Sequence, residues 1–413
     1  MITVTQYCPE KKTINETELI SDVSSSLAVF DTVTISFLNK VSRLLLSDKN
    51  YNRTPEIVAL GFWLRRANIE AMQKENEHWI KTTNYSVNPL GKVFHVAPSN
   101  VDTIFLYSLC ISLLMGNVNI VRVSSSFNSL VVDFIITCIN KILAENEFTV
   151  LKQYIRIITY EHDETINSFI SANVNSRVIW GGDATVLHFR NIPTPVYTKD
   201  ILFPNRISYS LFKASAYNNL SIEEKKTCAY NFFNDGYTFD QLGCSSPKII
   251  FVLGSKDEKD QFVKELYMHL SPIAEKRYYT QTMLLSSQKY NHLINDAILN
   301  KIIHVEHSNN SVYLVEMKDR ILTIEFCQGG YFYIKQINEI GELKDMVCEA
   351  IQTLSYYGLE PDEIKAVDKS LYGKRIDRIV PVGQALAFHY IWDGMNLFEE
   401  LSRKRVIELS NNI

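Results

Sequence analysis

The residues best suited to covalent chemistry lie between Asp240 and Val252, in the run Asp-Gln-Leu-Gly-Cys244-Ser-Ser-Pro-Lys-Ile-Ile-Phe-Val. Cys244 follows a glycine and precedes two serines and a proline, so small residues surround it in a tight loop directly before an apolar strand. Small neighbours let a substrate reach the sulfur, and backbone N–H groups in such a loop favour a thiolate. The competing role is the common one for cysteine, a small buried hydrophobe. Cys110, Cys138, Cys228 and Cys348 fit that role, whereas the context of Cys244 leaves nucleophile and structural thiol equally open.

Three other groups sit where strands give way to helices. Asn100 falls between a strand end and a helix start. It either caps the helix or turns the chain with Ser99, or its amide N–H donates to an oxyanion alongside a backbone N–H. Arg122 and Ser124 end a second strand; a cation and a hydroxyl at that edge can hold a ribose or a 2′-phosphate, or simply be solvated. Gly181-Gly182-Asp183 follows another strand and opens a helix, where glycines admit a phosphate and the helix terminus favours an anion. Gly-Gly is equally a plain turn, and neither GxGxxG nor a P-loop sequence occurs. Arg378 and Trp392-Asp393-Gly394 read as structural, a salt-bridged arginine and a buried indole beside a turn. His95, on a buried strand, reads as a satisfied core residue rather than a base. The nine histidines are scattered, no HExxH, Ser/His/Asp order or paired carboxylates stand out, and no CxxC or Cys/His cluster indicates a metal site.

The elements that must position these groups alternate. From Lys92 onward the pattern predicts strands at Val93–Ala97, Asn119–Val123, Tyr154–Tyr160 and Arg177–Trp180. Helices are expected between them at Val101–Met115, Leu130–Ala144 and Glu164–Ala172. Such alternation argues for a parallel sheet in an α/β fold. Upstream there is a weak helical pattern over Asp31–Leu46. A better helix is opened by Thr54-Pro55-Glu56, with Ile57, Leu60, Leu64 and Ala67 on one face. Downstream, a strand at Ile207–Phe212 and a helix at Ile222–Asn234 lead into the cysteine loop and the strand Lys248–Leu253. An amphipathic stretch, Lys256–His269, follows. Strands are then expected at Ile302–Glu306, Val312–Met317, Ile321–Phe326 and Tyr331–Ile337, a helix at Leu343–Leu354, and a strand at Arg378–Val382.

Composition narrows the class. The chain has 413 residues, 46% hydrophobic and 21% charged, enough for two or three domains with real cores. A net charge of -4 gives no basic footprint for nucleic acid or an anionic membrane. The longest apolar stretch, Val101 to Met115, is too short and too interrupted to span a bilayer. Seven cysteines, an odd number, do not suggest a disulfide framework. No signal peptide is visible, and the expected compartment is the cytoplasm.

Taken together, these pieces resemble the acyl-CoA reductase (LuxC) family, the fatty acid reductases of bacterial luminescence, a branch of the aldehyde dehydrogenase superfamily. The resemblance rests on Gly91-Lys-Val-Phe-His-Val-Ala-Pro-Ser-Asn100-Val, Met115-Gly-Asn-Val-Asn-Ile-Val-Arg122-Val-Ser-Ser-Ser, Val178-Ile-Trp-Gly-Gly-Asp183, Phe203-Pro-Asn-Arg-Ile-Ser208, Phe239-Asp-Gln-Leu-Gly-Cys244-Ser-Ser-Pro247, and Arg378-Ile-Val-Pro-Val-Gly-Gln384 with Trp392-Asp-Gly394. It runs from about residue 90 to 405, and its specific parts are the cysteine motif and the Trp-Asp-Gly end.

The resemblance implies an α/β, aldehyde dehydrogenase-like architecture: a Rossmann-like cofactor domain plus an α/β catalytic domain. Residues 1–85 would form an N-terminal helical layer of the cofactor domain, 86–215 the Rossmann-like nucleotide-binding domain, and 216–385 the catalytic domain. Residues 386–413 would return to the cofactor domain or an oligomer interface. It places Cys244 where the family has its nucleophile and Asn100 where the superfamily has its oxyanion asparagine. Arg122 falls where a lysine usually contacts the adenosine ribose, and Gly181, Gly182 and Asp183 on the cofactor-side turn. The implied cofactor is NADPH, with Arg122 and Ser124 suited to the extra phosphate and NADH left open. The implied reaction reduces an acyl thioester or acyl adenylate to an aldehyde through a Cys244 thioester, in a homo-oligomer that can receive acyl groups from an acyl-protein synthetase. Hydrolytic aldehyde dehydrogenases carry a general-base Glu in a Glu-Leu-Gly-Gly stretch, but Ile192 to Phe212 contains no Glu. A Cys-bound acyl group would then be reduced rather than hydrolysed. The alternative is an acyl-transfer or acyl-carrier module of the same fold that does not reduce.

Overall fold

The computed structural model describes residues 2–24, 26–52, 54–98, 100–124, 129–278, 283–318, 326–348 and 350–408. The chain forms two compact units, Met1–Pro204 with Phe388–Ile413, and Asn205–Ala387.

The first unit is built on a seven-stranded sheet. Its strands are β1 (Thr3–Cys8), β2 (Lys12–Asn15), β4 (Lys92–Val96), β5 (Val118–Arg122), β6 (Ile155–Thr159), β7 (Ser176–Trp180) and β8 (Lys199–Phe203), in the order β2-β1-β6-β5-β4-β7-β8. A further strand, β3 (Tyr85–Pro89), lies outside this sheet. Strands β6, β5, β4, β7 and β8 are mutually parallel, while β1 and β2 add antiparallel pairings at one edge. The parallel strands are covered on both faces, so Val93, Phe94, His95 and Val96 are buried in succession, as parallel strands require. One face packs against the helix Ile104–Leu114, buried along its whole length, and the helix Leu130–Leu143, capped by Ser129. The other carries Phe94, Ile120, Ile158 and Ile179 against Ile170, Val186 and Phe189.

The N-terminal region differs from a purely helical layer in two ways. Thr3–Cys8 and Lys12–Asn15 are strands, because the short Thr-Val-Thr-Gln-Tyr-Cys alternation buries Val4, Gln6 and Cys8 on the sheet. The helix opened by Pro55 stops at Trp63 and a second begins at Arg66, so Ile57, Leu60 and Leu64 are buried but Ala67 is exposed.

The second unit holds another seven-stranded sheet, of β9 (Ile207–Lys213), β10 (Pro247–Leu253), β11 (Ile302–Glu306), β12 (Tyr313–Met317), β13 (Tyr331–Ile337), β14 (Ile351–Tyr357) and β15 (Arg378–Pro381). Their order is β11-β12-β13-β10-β9-β14-β15, all parallel except the edge strand β11. Strand β9 lies between β10 and β14, so it belongs to this unit and the boundary precedes it, ahead of residue 215. The expected helix Leu343–Leu354 is instead a single helical turn, Leu343–Met346, followed by β14. Ile-Gln-Thr-Leu-Ser-Tyr-Tyr is a short, β-branched and aromatic run, and periodicity alone does not separate a buried strand from a helix there. Of the expected strand Ile321–Phe326, residues 321–325 lie outside the described residues.

The final segment rejoins the first unit. Asp393 and Gly394 both take positive φ, 48° and 74°, and turn a small hairpin between β16 (Ile391–Trp392) and β17 (Met395–Asn396). The Trp392 indole is buried 5.7 Å from the Tyr107 ring, centroid to centroid. The last strand, β18 (Ser402–Val406), pairs antiparallel with β3. Among the described residues no helix is long and apolar enough to cross a membrane.

Candidate active site

In the second unit, Cys244 sits in a turn tied at nearly every residue. After the helix Ile222–Tyr237, Phe239, Asp240 and Gln241 all adopt left-handed backbone, with φ of 58°, 54° and 64°. Each such non-glycine residue costs about 1–2 kcal/mol, so the surroundings must impose the shape. Gln241 does much of this. It is fully buried; its amide N–H donates to the carbonyls of Pro247 (2.9 Å) and Tyr331 (3.1 Å), and its side-chain oxygen accepts from the N–H of Gly330 (3.0 Å) and Tyr331 (3.3 Å). Lys248 Nζ donates to the Gln241 carbonyl. The Cys244 carbonyl accepts from Ser208 Oγ at 2.7 Å, and Ser245 Oγ donates to Gln352 at 2.8 Å. Gly243 has little room, since a Cβ there would lie 3.2 Å from Ser246 Oγ. Cys244 is half-buried, while Cys8, Cys110, Cys138 and Cys228 are buried. Such a thiol is both held and reachable.

A second thiol and two lysines share this edge of the sheet. Strands β10 and β13 run parallel with Ile249 opposite Tyr333, so the loops entering them, one bearing Cys244 and the other Cys327, lie side by side. Gly329 N–H donates to the Asp240 carbonyl (3.2 Å) and joins the loops. Lys289 Nζ donates to the carbonyls of Gly329 (2.8 Å) and Asn310. Burial pushes both ammonium groups down to about 8; Lys248 is pulled back up by the thiols of Cys327 and Cys244, and Lys289 by Cys327. Burial raises the Cys327 thiol, and the Gln328 N–H and both lysines oppose that rise. Sequence reasoning missed these groups. Lys248 carries a faint signal, a lone cation opening an apolar strand; Lys289 and Cys327 carry none.

The other expected residues are in the first unit, at the C-terminal ends of three adjacent parallel strands, β5, β4 and β7. Ligands in open α/β sheets bind at such strand ends. Asn100 follows β4 and is exposed; it is not the helix cap, because the helix starts at Ile104 with Thr103 in the cap position. Arg122 ends β5, its guanidinium 4.7 Å from the centre of the Tyr160 ring, and its buried Nε has no hydrogen-bond partner among the described residues. Ser124 follows two residues later. Gly181 donates its N–H to the Phe203 carbonyl (3.2 Å), and a Cβ there would lie 2.9 Å from Thr185. Gly182 is the N-cap of the helix Asp183–Asn191, and Asp183 places a carboxylate in its first turn. The Gly-Gly turn is thus shaped by packing and followed by an acidic residue, whereas the Arg122 Nε is unpartnered among the described residues.

His95 is the buried core residue its strand implied. Its Nδ1 lies 2.7 Å from Ser108 Oγ and its Nε2 3.0 Å from Asn119 Oδ1, and burial lowers its pKa to about 4. Arg378 donates to the carbonyls of Gln384, Ala385 and Ala387. No group of His, Cys, Asp and Glu among the described residues is arranged to hold a metal ion.

With this geometry in hand, the class is clear: the fold is that of the aldehyde dehydrogenases. The chain is similar to the putative aldehyde dehydrogenase PutA from Anabaena variabilis, with a TM-score of 0.65 and 12% identity over 92% of this chain and 88% of that one. It is also similar to an NAD-dependent aldehyde dehydrogenase from Sinorhizobium meliloti, with a TM-score of 0.66 and 12% identity over 92% and 82% of the two chains. AldH of Staphylococcus aureus gives 0.62 and 14% over 92% and 90%. Within that class, residues 65–404 match the acyl-CoA reductase (LuxC) family, and the chain belongs to it. No curated protein matches the chain.

Proposed function

We propose that this protein reduces an activated acyl group, an acyl thioester or acyl adenylate, to an aldehyde with NADPH, through a thioester on Cys244. The carrying observation is the half-buried Cys244 in a turn fixed by Gln241, Ser208 and Lys248. In this reading the Cys244 thiolate attacks the acyl carbon, a C–S bond forms, and the donor leaves as thiolate or AMP. Asn100 and the Cys244 backbone N–H serve as oxyanion donors. Hydride is the chemistry that a nicotinamide nucleotide supplies when bound. Arg122 and Ser124 are the residues to hold it. The Arg122 guanidinium, whose Nε is unpartnered among the described residues, fits an anionic or hydroxyl-bearing group, and its charge favours a 2′-phosphate, hence NADPH over NADH. Gly181, Gly182 and Asp183 shape the neighbouring turn. The family resemblance further suggests a cytoplasmic homo-oligomer served by an acyl-protein synthetase.

The test is acyl-CoA-dependent NADPH consumption by wild type and Cys244→Ala, with donors from acetyl to tetradecanoyl. Turnover that vanishes in Cys244→Ala is expected. Full activity in the variant would sink the mechanism, and failure to bind NADPH at all would point to a non-reducing acyl-transfer module.

A further inference from the structure

We infer that Lys248 is a positioning residue for Cys244: its ammonium clasps the Gln241 carbonyl, closes the turn around the thiol, and keeps a positive charge at the loop where the thiolate forms. This rests on the reading of Cys244 as the nucleophile.

The chain treats the lysines it takes from water in two ways, Lys225, Lys259 and Lys289 being buried and Lys248 partly buried. Lys259 is paired with Glu316 at 2.6 Å and Lys225 with Glu265 at 2.6 Å. Lys248 and Lys289 have no carboxylate partner among the described residues and bond only to backbone carbonyls. A cation drawn out of water without a carboxylate is costly, most of all when fully buried like Lys289, and both lysines reach the two loops that carry Cys244 and Cys327. The Gln241–Lys248 segment is closed from both directions, Lys248 Nζ to the Gln241 carbonyl and Gln241 Nε2 to the Pro247 carbonyl at 2.9 Å. Cys244 lies at the middle of that closed segment. The titratable groups coupled to Lys248 are the thiols of Cys244 and Cys327; Cys327 in turn feels Lys289 and Asp296. A plain hydrogen-bond clasp would need an N–H donor but no charge. A lysine there supplies both at neutral pH, since burial lowers its ammonium only to about 8.

The experiment is the pH dependence of Cys244 alkylation by iodoacetamide, resolved from the other cysteines by peptide mass spectrometry. It compares full-length wild type, Lys248→Gln, Lys248→Met and Lys248→Arg. Lys248→Gln retains a donor for the Gln241 carbonyl and loses the charge. Its alkylation profile is expected to move up by about one pH unit, slowing modification near neutrality about 10-fold. Lys248→Arg should stay near wild type. An unshifted profile in Lys248→Gln overturns the inference, whatever happens to thermal stability. If Lys248→Met does not fold, the Gln and Arg variants still decide. Alkylation is read without turnover, so Cys244-independent turnover would count against the nucleophile reading, whereas Cys244-dependent turnover with an unshifted profile would count against Lys248 alone.

Discussion

Arg122 shows what a single side chain contributes and how far sequence could reveal it. Its position at a strand end was legible because the apolar run Asn-Ile-Val-Arg-Val ends in polar residues. The stacking on Tyr160 was not, since the two residues meet only through the parallel pairing of β5 with β6. The planar guanidinium lies against that ring, with its buried Nε unpartnered among the described residues, and carries a positive charge at the strand end. Arg122→Gln keeps hydrogen-bonding capacity and removes the charge. We expect the KM for NADPH to rise about 10- to 100-fold, the range of a lost hydrogen bond to a charged group, with a smaller effect on NADH. Steady-state kinetics with both nucleotides measures this, and an equal change for the two would exclude a 2′-phosphate contact. Cys244 was legible for a different reason: glycine, serine and proline announce a tight turn. The left-handed Phe239, Asp240 and Gln241 give no such sign, because Gln241 is held by long-range bonds to Gly330 and Tyr331 at the start of β13.

At the scale of elements, the alternation after Lys92 revealed β4, β5 and β7, whose ends carry Asn100, Arg122 and Gly181. It did not reveal how the strands lock together from within. His95 on β4 connects two neighbours: Asn119 on β5, and Ser108 of the adjoining helix, which also accepts from Trp180 of β7 at 3.1 Å. Asn119 Nδ2 donates to backbone carbonyls, so its oxygen faces His95 Nε2–H, and Nδ1 accepts from the Ser108 hydroxyl. This neutral imidazole resists protonation in the folded protein until about pH 4. The unfolded chain takes up that proton below about 6.5. The unfolded state therefore binds more protons between those values, and stability is lost as pH falls through the window. His95→Gln removes the titration. In urea unfolding at pH 7 and pH 5, wild type should lose about 2 kcal/mol more than His95→Gln on acidification. Equal losses would mean that His95 is not held neutral.

The whole molecule is two sheet-centred units, and sequence placed their division late because β9 reads like another strand of the first alternating series. Only the sheet order, with β9 between β10 and β14, assigns it to the second unit. The C-terminal return was less legible still: Trp392-Asp393-Gly394 signals a hairpin, but nothing local says that β18 will pair with β3. That ribbon has a property with consequences for assembly. Among the described residues β3 and β18 pair only with each other, and an isolated two-stranded sheet is marginal in water. Val406 and Ile407 stand exposed at its end, 69% and 49% accessible, beside a cavity of about 580 Å³ lined partly by Ile80, Tyr85 and Val87. Unpaired edges with exposed apolar residues favour association with another chain. In the proposed homo-oligomer, a second copy would pair at this ribbon. Light scattering on the purified protein should give a mass that is a multiple of 47.5 kDa. Val406→Glu should shift it toward the monomer while leaving the circular dichroism spectrum unchanged. A monomeric wild type at micromolar concentration, or an oligomer indifferent to Val406→Glu, would show that the ribbon is not the assembling element.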